Sequence, residues 1–366
     1  MSIDRRQFLL SGLLAPLSTT RAETKGDYPI GYRRIVSAAF REGRLVVYST
    51  TDISAASPLL ADFRTLYPGI EVNYAKLNSP ELYQRFVSET ESQGYSADVT
   101  WSSSMDLQIK LANDGYAEPY RSPESRHLPE WAVWRYEAYG TTFEPLAIAY
   151  NRRLVTGKNV PRDHNDLRRI LTERRDLFRG NVVTYDIEKS AVGFLGATQD
   201  SLTMSSYWSL VSALGACDVQ MESNTSPMLE HIATGMRMLA YNILGSYAIA
   251  KAMHDPAIGV CLPADYTLVL SRVILIARRA KNPNAAKLWL DYLLSRRGQQ
   301  LAGQQSRLFS IRTDVQGETT ATGLSAILGK SIHPISIGPG LLVYLDGAKR
   351  AAFARRWREA VQPGLS

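Results

Sequence analysis

The sequence predicts an α/β protein of two lobes with a cleft between them. Strand-like apolar runs alternate with amphipathic helices in both halves, as βαβ units require. The chain of 366 residues exceeds one typical core, so two domains are expected. Two stretches, 139–145 and 265–271, each lead into a further apolar strand and mark where the chain crosses between lobes and returns.

The first 22 residues read as an export signal. Arg5-Arg6 precede an apolar stretch through Leu17 and the small-residue exit Thr20-Arg21-Ala22, the order of a charged, an apolar and a cleavage region. Ser11, Gly12 and Pro16 interrupt the apolar stretch. A spanning helix needs roughly 20 apolar residues, so cleavage near Ala22 and release into the periplasm are expected. Asp4-Arg5-Arg6-Gln7-Phe8-Leu9 also resembles a twin-arginine signal; an ordinary secretory signal is the alternative.

In the mature chain Leu45–Tyr48 is a buried strand, and Ser49, Thr50, Thr51 and Asp52 form a polar loop. The next helix places Leu59, Leu60, Phe63, Leu66 and Tyr67 on one face. Pro68-Gly69 stops it, and Ile70–Tyr74 is a second strand. Asn78-Ser79-Pro80-Glu81 carries an N-cap and a first-turn proline before a helix buried through Leu82 and Phe86. Ala97–Trp101 is the third strand, followed by Ser102-Ser103-Ser104 and a helix from Met105 to Asn113.

After the first crossing, Leu146–Tyr150, Asn181–Tyr185 and Met236–Tyr241 are strands. The return leads into a strand at Val273–Ala277 and a helix at Asn284–Ser295, with Trp289, Leu290, Leu293 and Leu294 facing the core. The expected partition is residues 23–143 with 271–366 in one lobe and 144–270 in the other. The tail is expected to be mostly helical.

Charge excludes one class of partner. The net charge of +7 falls to +5 when the leader takes away three arginines and Asp4. Arginine doublets at 33-34, 152-153, 168-169, 174-175, 278-279, 296-297 and 355-356 are dispersed among acidic residues. Nucleic acid would want one concentrated basic footprint, so these read as solvated helix faces. Cys217 and Cys261 are the two cysteines, which rules out a disulfide scaffold and leaves one disulfide or two buried thiols as alternatives.

Three strands expected to be parallel end in hydroxyl-rich loops, at Ser49–Thr51, Asn78-Ser79 and Ser102–Ser104. Parallel sheets bind ligands beyond the carboxyl ends of their strands, and helix starts offer unsatisfied N–H donors to carboxylate or phosphate. Plain N-capping explains any one loop; their coincidence favours a site. Ligand-binding candidates are therefore Ser49, Thr50, Thr51, Asn78, Ser79, Ser102 and Ser103, with Thr141 and Thr142 of the first crossing. From the second lobe come Asp186, Lys189 and Ser190, which follow the strand at 181–185, and Tyr247. Tyr241-Asn242 and Ser246 are further candidates. Trp101 and Tyr139 are expected at the cleft edge, where an aromatic stacks on an apolar or sugar face. The five histidines are isolated, and no P-loop, dinucleotide fingerprint or nucleophile elbow is present. No catalytic residue, metal or cofactor is expected, and an enzyme, hydrolytic at most, is the weakest reading.

The strand Leu45–Ser49, the run Ser96-Ala97-Asp98-Val99-Thr100-Trp101, Gly115-Tyr116 and the helix Asn284–Gln299 resemble extracellular solute-binding proteins of ABC transporters, in the ferric-iron-type branch. The resemblance implies the periplasmic binding protein type II fold: two lobes, a two-strand hinge, and a ligand handed to an inner-membrane ABC permease. A membrane sensor is the alternative recipient, and a monomer is expected. Ferric-binding relatives use adjacent tyrosines where this chain has Ser246-Tyr247. Their histidine and glutamate ligands align with Thr50 or Thr51 and with Ser102–Ser104. Hydroxyls in place of those donors point to a phosphorylated sugar, phosphonate or carboxylate as solute, with ferric iron as the alternative.

Overall fold

The computed structural model describes residues 28, 29 and 31–362. The export signal and its cleavage near Ala22 lie outside the described residues. The strands are β1 (Arg44–Ser49), β2 (Glu71–Lys76), β3 (Val99–Ser102), β4 (Val133–Trp134), β5 (Ala138–Gly140), β6 (Glu144–Asn151), β7 (Val182–Tyr185), β8 (Gln220–Glu222), β9 (Leu239–Leu244), β10 (Ile258–Cys261), β11 (Thr267–Leu270), β12 (Val273–Ile276) and β13 (Ile332–Pro334). They form two sheets. One runs β2-β1-β3-β12-β5-β4, and the other runs β13-β11-β6-β9-β7-β8 with β10 also paired to β6.

In the first sheet β1 is parallel to both β2 and β3, so the loops after all three emerge at one edge. Their sequences are apolar because helices cover the sheet: Leu45 and Val47 of β1 and Val99 and Trp101 of β3 are buried with Phe63 and Trp289. Phe63 meets Trp289 edge-on at 5.0 Å, fixing the helices Ile53–Leu66 and Pro283–Leu294 on one face. In the second sheet β7 is parallel to β8 and β9.

Two segments join the sheets. β5 lies antiparallel to β12, with Gly140 opposite Val273. β6 lies antiparallel to β11, with Glu144 opposite Leu270. The chain therefore passes between sheets at residues 141–143 and returns at 271–272, a two-strand hinge, and passes to the second sheet once more before β13.

The C-terminal part departs from expectation, which gave everything after 271 to the first lobe. β13 pairs in parallel with β11 of the second sheet, and the helix Gly347–Val361 packs against the helix Tyr207–Ala216. The cause is apolar burial, since Phe353 meets Phe194 at 5.7 Å and Trp208 at 5.2 Å. The strand expected at Met236–Tyr241 begins three residues later. Gly235 there ends the helix Thr225–Thr234 in a left-handed conformation, and Met236 and Arg237 continue that turn.

Cys217 and Cys261 are both buried and not joined to each other. Among the described residues no helix is long and apolar enough to cross a membrane.

Candidate functional site

A cleft of about 650 Å³ lies between the lobes, beyond the carboxyl ends of the parallel strands. The first lobe lines it with Thr50 and Asp52 after β1, Lys76 at the end of β2 and Leu77 to Pro80 beyond it, and Ser103 after β3. The second lobe contributes Tyr185 at the end of β7 and Lys189 to Val192 beyond it, Ser223 to Pro227 after β8, and Leu244 at the end of β9 with Tyr247 beyond it. The helices Ile53–Leu66, Ser79–Gln93, Ala191–Thr203 and Thr225–Thr234 all begin here. Each start presents backbone N–H groups that lack a carbonyl partner inside the helix, so positive potential converges on the cleft.

Local sequence explains how those starts are held. Asn78 accepts from the Glu81 N–H at 2.9 Å while the Glu81 carboxylate accepts from the Asn78 N–H at 3.4 Å, closing a capping box. Ser190 accepts from the Gly193 N–H at 3.2 Å. Gly193 lets that helix approach β7, because a Cβ there would stand 2.2 Å from Cβ of Tyr185. Thr50 Oγ1 sits 3.3 Å from the hydroxyls of Ser102 and Ser103 and accepts the Ser103 N–H at 3.1 Å.

The floor is Arg272, a side chain only 1% exposed. Its Nη1 donates to Thr51 Oγ1 at 3.1 Å and its Nη2 to Glu144 Oε2 at 3.1 Å. Nε lies 2.7 Å from Glu144 Oε1, but off the N–H line, so that contact is coulombic and not a hydrogen bond. Burial opposes the guanidinium charge, yet Glu144 outweighs it and holds the group above its ordinary pKa. Glu144 also accepts from Thr142 Oγ1 at 2.8 Å and from Ser246 Oγ. Near the mouth Lys76 stands 3.4 Å from Asp52, and exposed Lys189 stands 2.9 Å from Asp186.

Tyr247 spans the lobes. Its hydroxyl accepts the Asp52 N–H at 3.3 Å, and its ring lies under the Arg272 guanidinium, 5.4 Å from carbon to centroid. Burial pushes the phenol pKa up, with Arg272 partly offsetting it.

Of the residues singled out in sequence, Thr50, Asn78, Ser79, Ser103, Lys189, Ser190 and Tyr247 meet in the cleft. Ser49, Thr51, Ser102, Thr141, Thr142 and Asp186 are not on its lining; they brace it. Ser49 donates to the Trp101 carbonyl at 2.8 Å and accepts the Thr51 N–H at 3.0 Å. Trp101 and Tyr139, expected at the cleft edge, are buried in the first lobe. The Trp101 indole N–H donates to Thr141 Oγ1 at 2.8 Å, and the Tyr139 hydroxyl donates to the Tyr120 carbonyl. These strand positions face the covering helices, so the rings pack where they were expected to stack. Tyr241 and Asn242 turn away into the second lobe and donate to Asp200 at 2.7 and 2.8 Å.

Arg272, Lys76 and the 223–227 loop were not singled out in sequence. That loop, Ser223-Asn224-Thr225-Ser226-Pro227, repeats the signal of Asn78-Ser79-Pro80 after a strand, so it was available to the same reasoning. Arg272 was not, because its significance rests on Glu144, far away in sequence.

Comparison with known proteins fits this architecture. Residues 45–305 match the family model described as bacterial extracellular solute-binding protein. The chain is 39% identical to the substrate binding protein of an ABC transporter from Agrobacterium tumefaciens, covering 87% of this chain and 94% of that one, with a TM-score of 0.83. The periplasmic binding protein AfuA from Actinobacillus pleuropneumoniae, solved with exogenous fructose-6-phosphate, superposes with a TM-score of 0.70 at 20% identity over 87% of this chain and 98% of that one. Iron-bound HitA from Pseudomonas aeruginosa gives 0.68 at 16% identity over 87% and 99%.

Proposed function

The chain belongs to the bacterial extracellular solute-binding protein family, and from that premise we propose that it presents a small organic oxyanion to an inner-membrane ABC permease. The solute is a phosphorylated sugar, phosphonate or carboxylate held between lobes built from residues 28–143 with 271–331 and 144–270 with 332–362. Ligand contacts from both half-sites favour the closed form, and closure about 141–143 and 271–272 is what the permease reads. The protein acts as a monomer in the periplasm after removal of its leader.

One observation carries the choice of solute: helix starts from both lobes open onto a single cleft floored by a buried arginine. Such donors suit an oxyanion, since backbone N–H groups and helix dipoles favour negative charge. Fold alone does not decide, because the same architecture holds fructose-6-phosphate in AfuA and iron in HitA. The lining argues against ferric iron here. On the first lobe's side the cleft presents the neutral hydroxyls of Thr50 and Ser103, and the carboxylate on its lining, Asp52, is paired with Lys76 at 3.4 Å.

Thermal unfolding of residues 23–366 with glucose 6-phosphate, phosphonates, dicarboxylates and ferric citrate tests this reading. A ligand at 100 times its Kd adds roughly 2.7 kcal/mol, a readable shift in Tm. A shift with a phosphorylated or carboxylated solute is expected. A shift with ferric citrate and not with citrate alone would reverse the assignment.

A further inference from the structure

A second depression, of about 370 Å³ and open to the surface, adjoins the cleft and includes Ser54, Glu230, Lys251 and Arg307 in its lining. The two cavities share Asp52, Ser226 and Tyr247. Of these three the tyrosine is by far the bulkiest.

We infer that Tyr247 sets the size limit of the solute by walling off this second space. The inference rests on the oxyanion reading of the cleft and adds what decides among oxyanions. Two contacts hold the partition in place. The hydroxyl accepts the Asp52 N–H at 3.3 Å from the opposite lobe, and the ring face lies on the Arg272 guanidinium. A cation over an aromatic face attracts it, and Arg272 is itself held by Glu144 and Thr51. Turning the ring aside would forfeit both contacts, so a solute longer than the cleft meets a braced wall.

The space behind the wall has a mixed lining, with Ala55, Leu229 and Ala250 beside its polar groups. Lys251 pairs with Glu230, and Ser54, Gln305 and Ser306 add hydroxyl and amide groups. Such a lining accommodates a second or third sugar unit, whose rim carries hydroxyls and whose ring faces are C–H surface. Without the ring the two cavities join, and the accepted solute lengthens while its anionic end keeps the same donors.

The test uses the mature wild type with Tyr247→Phe, Tyr247→Leu and Tyr247→Ala. Titration calorimetry is run on two series of increasing length: glycerol 3-phosphate, glucose 6-phosphate and trehalose 6-phosphate; and lactate, gluconate, lactobionate and maltotrionate. The wild type and Tyr247→Phe should stop at a shared rung. Tyr247→Leu and Tyr247→Ala should bind at least one longer rung, with a gain of about tenfold or more over the wild type. Circular dichroism shows which variants are folded, and Leu keeps enough bulk to stand in if Ala unfolds. A cutoff unchanged in the folded variants, or a wild type that takes the longest rung as tightly as the shorter ones, overturns the size limit and leaves the oxyanion reading standing. No binding of any rung to any of the proteins overturns the oxyanion reading, and the size limit with it.

Discussion

Glu144, the first residue of β6, and Arg272, the residue before β12, form a buried ion pair across the two chain crossings, with Nε and Oε1 2.7 Å apart. One partner begins a strand of the second sheet and the other introduces a strand of the first, so the pair ties the hinge segments together. It also sets what the cleft floor offers. The arginine charge is offset locally, and recognition there depends on the placement of N–H donors more than on net charge.

Removing one partner should be far worse than removing both. Glu144→Ala leaves a guanidinium buried without its counter-charge and should cost about 3–5 kcal/mol in urea unfolding. Glu144→Ala combined with Arg272→Met should recover much of that loss, because neither charge is then buried. Additive losses in the double variant would mean the two side chains contribute independently.

Stability should depend on pH through Asp106. This carboxylate lies fully buried in the helix Met105–Asn113, and burial pushes it up to about 6, with the Leu107 N–H and Arg350 pulling the other way. A carboxyl raised in the folded state favours folding fully below its unfolded pKa and loses that contribution as pH rises through 6. Asp106→Asn removes the ionisation. Relative to wild type, the variant should therefore gain roughly 2–3 kcal/mol between pH 4 and pH 8, read from urea melts at both values. A constant difference would place the cost of Asp106 in its neutral contacts.

Thr141 links the first lobe's core to the hinge. Its Oγ1 accepts the Trp101 indole N–H at 2.8 Å and donates to the Arg272 carbonyl at 2.8 Å. Thr141→Val keeps the shape and leaves the buried indole N–H unpaired, while the Arg272 carbonyl keeps the Thr141 backbone N–H at 2.9 Å, so it should cost about 1–3 kcal/mol and alter tryptophan emission without any ligand. Unchanged stability and emission would show that the N–H finds another partner.

Alternation of strands and helices was legible because each element carries its own period. The helix Met105–Asn113 and the apolar face of Trp289, Leu290, Leu293 and Leu294 follow from spacing alone. The hydroxyl loops were legible for the same reason, since a helix start writes its cap into adjacent residues. What spacing does not encode is which face of a strand is covered. Trp101 and Tyr139 were therefore misplaced by their nearness to the strand ends. The arginine doublets sit largely on the surface, as their dispersal among acidic residues implies. The isolated Arg272 was silent because its burial depends on Glu144 and Thr51, which only the closed topology brings near.

Asn78 separates capping from recognition, because it caps a helix and lines the cleft at once. Asn78→Ala removes the acceptor for the Glu81 N–H and should cost about 1 kcal/mol. Asn78→Asp keeps that acceptor, and a negative charge at a helix start is favourable, so stability should hold within about 0.5 kcal/mol. The same charge faces any bound anion. Affinity for glucose 6-phosphate, or for whichever probe stabilises the wild type, should fall about tenfold, equivalent to ~1.4 kcal/mol. The loss should shrink in high salt, which screens exposed charges. If Asn78→Asp binds as tightly as wild type while Asn78→Ala is merely less stable, the loop after β2 is a cap and the anion is held by the remaining helix starts and Arg272.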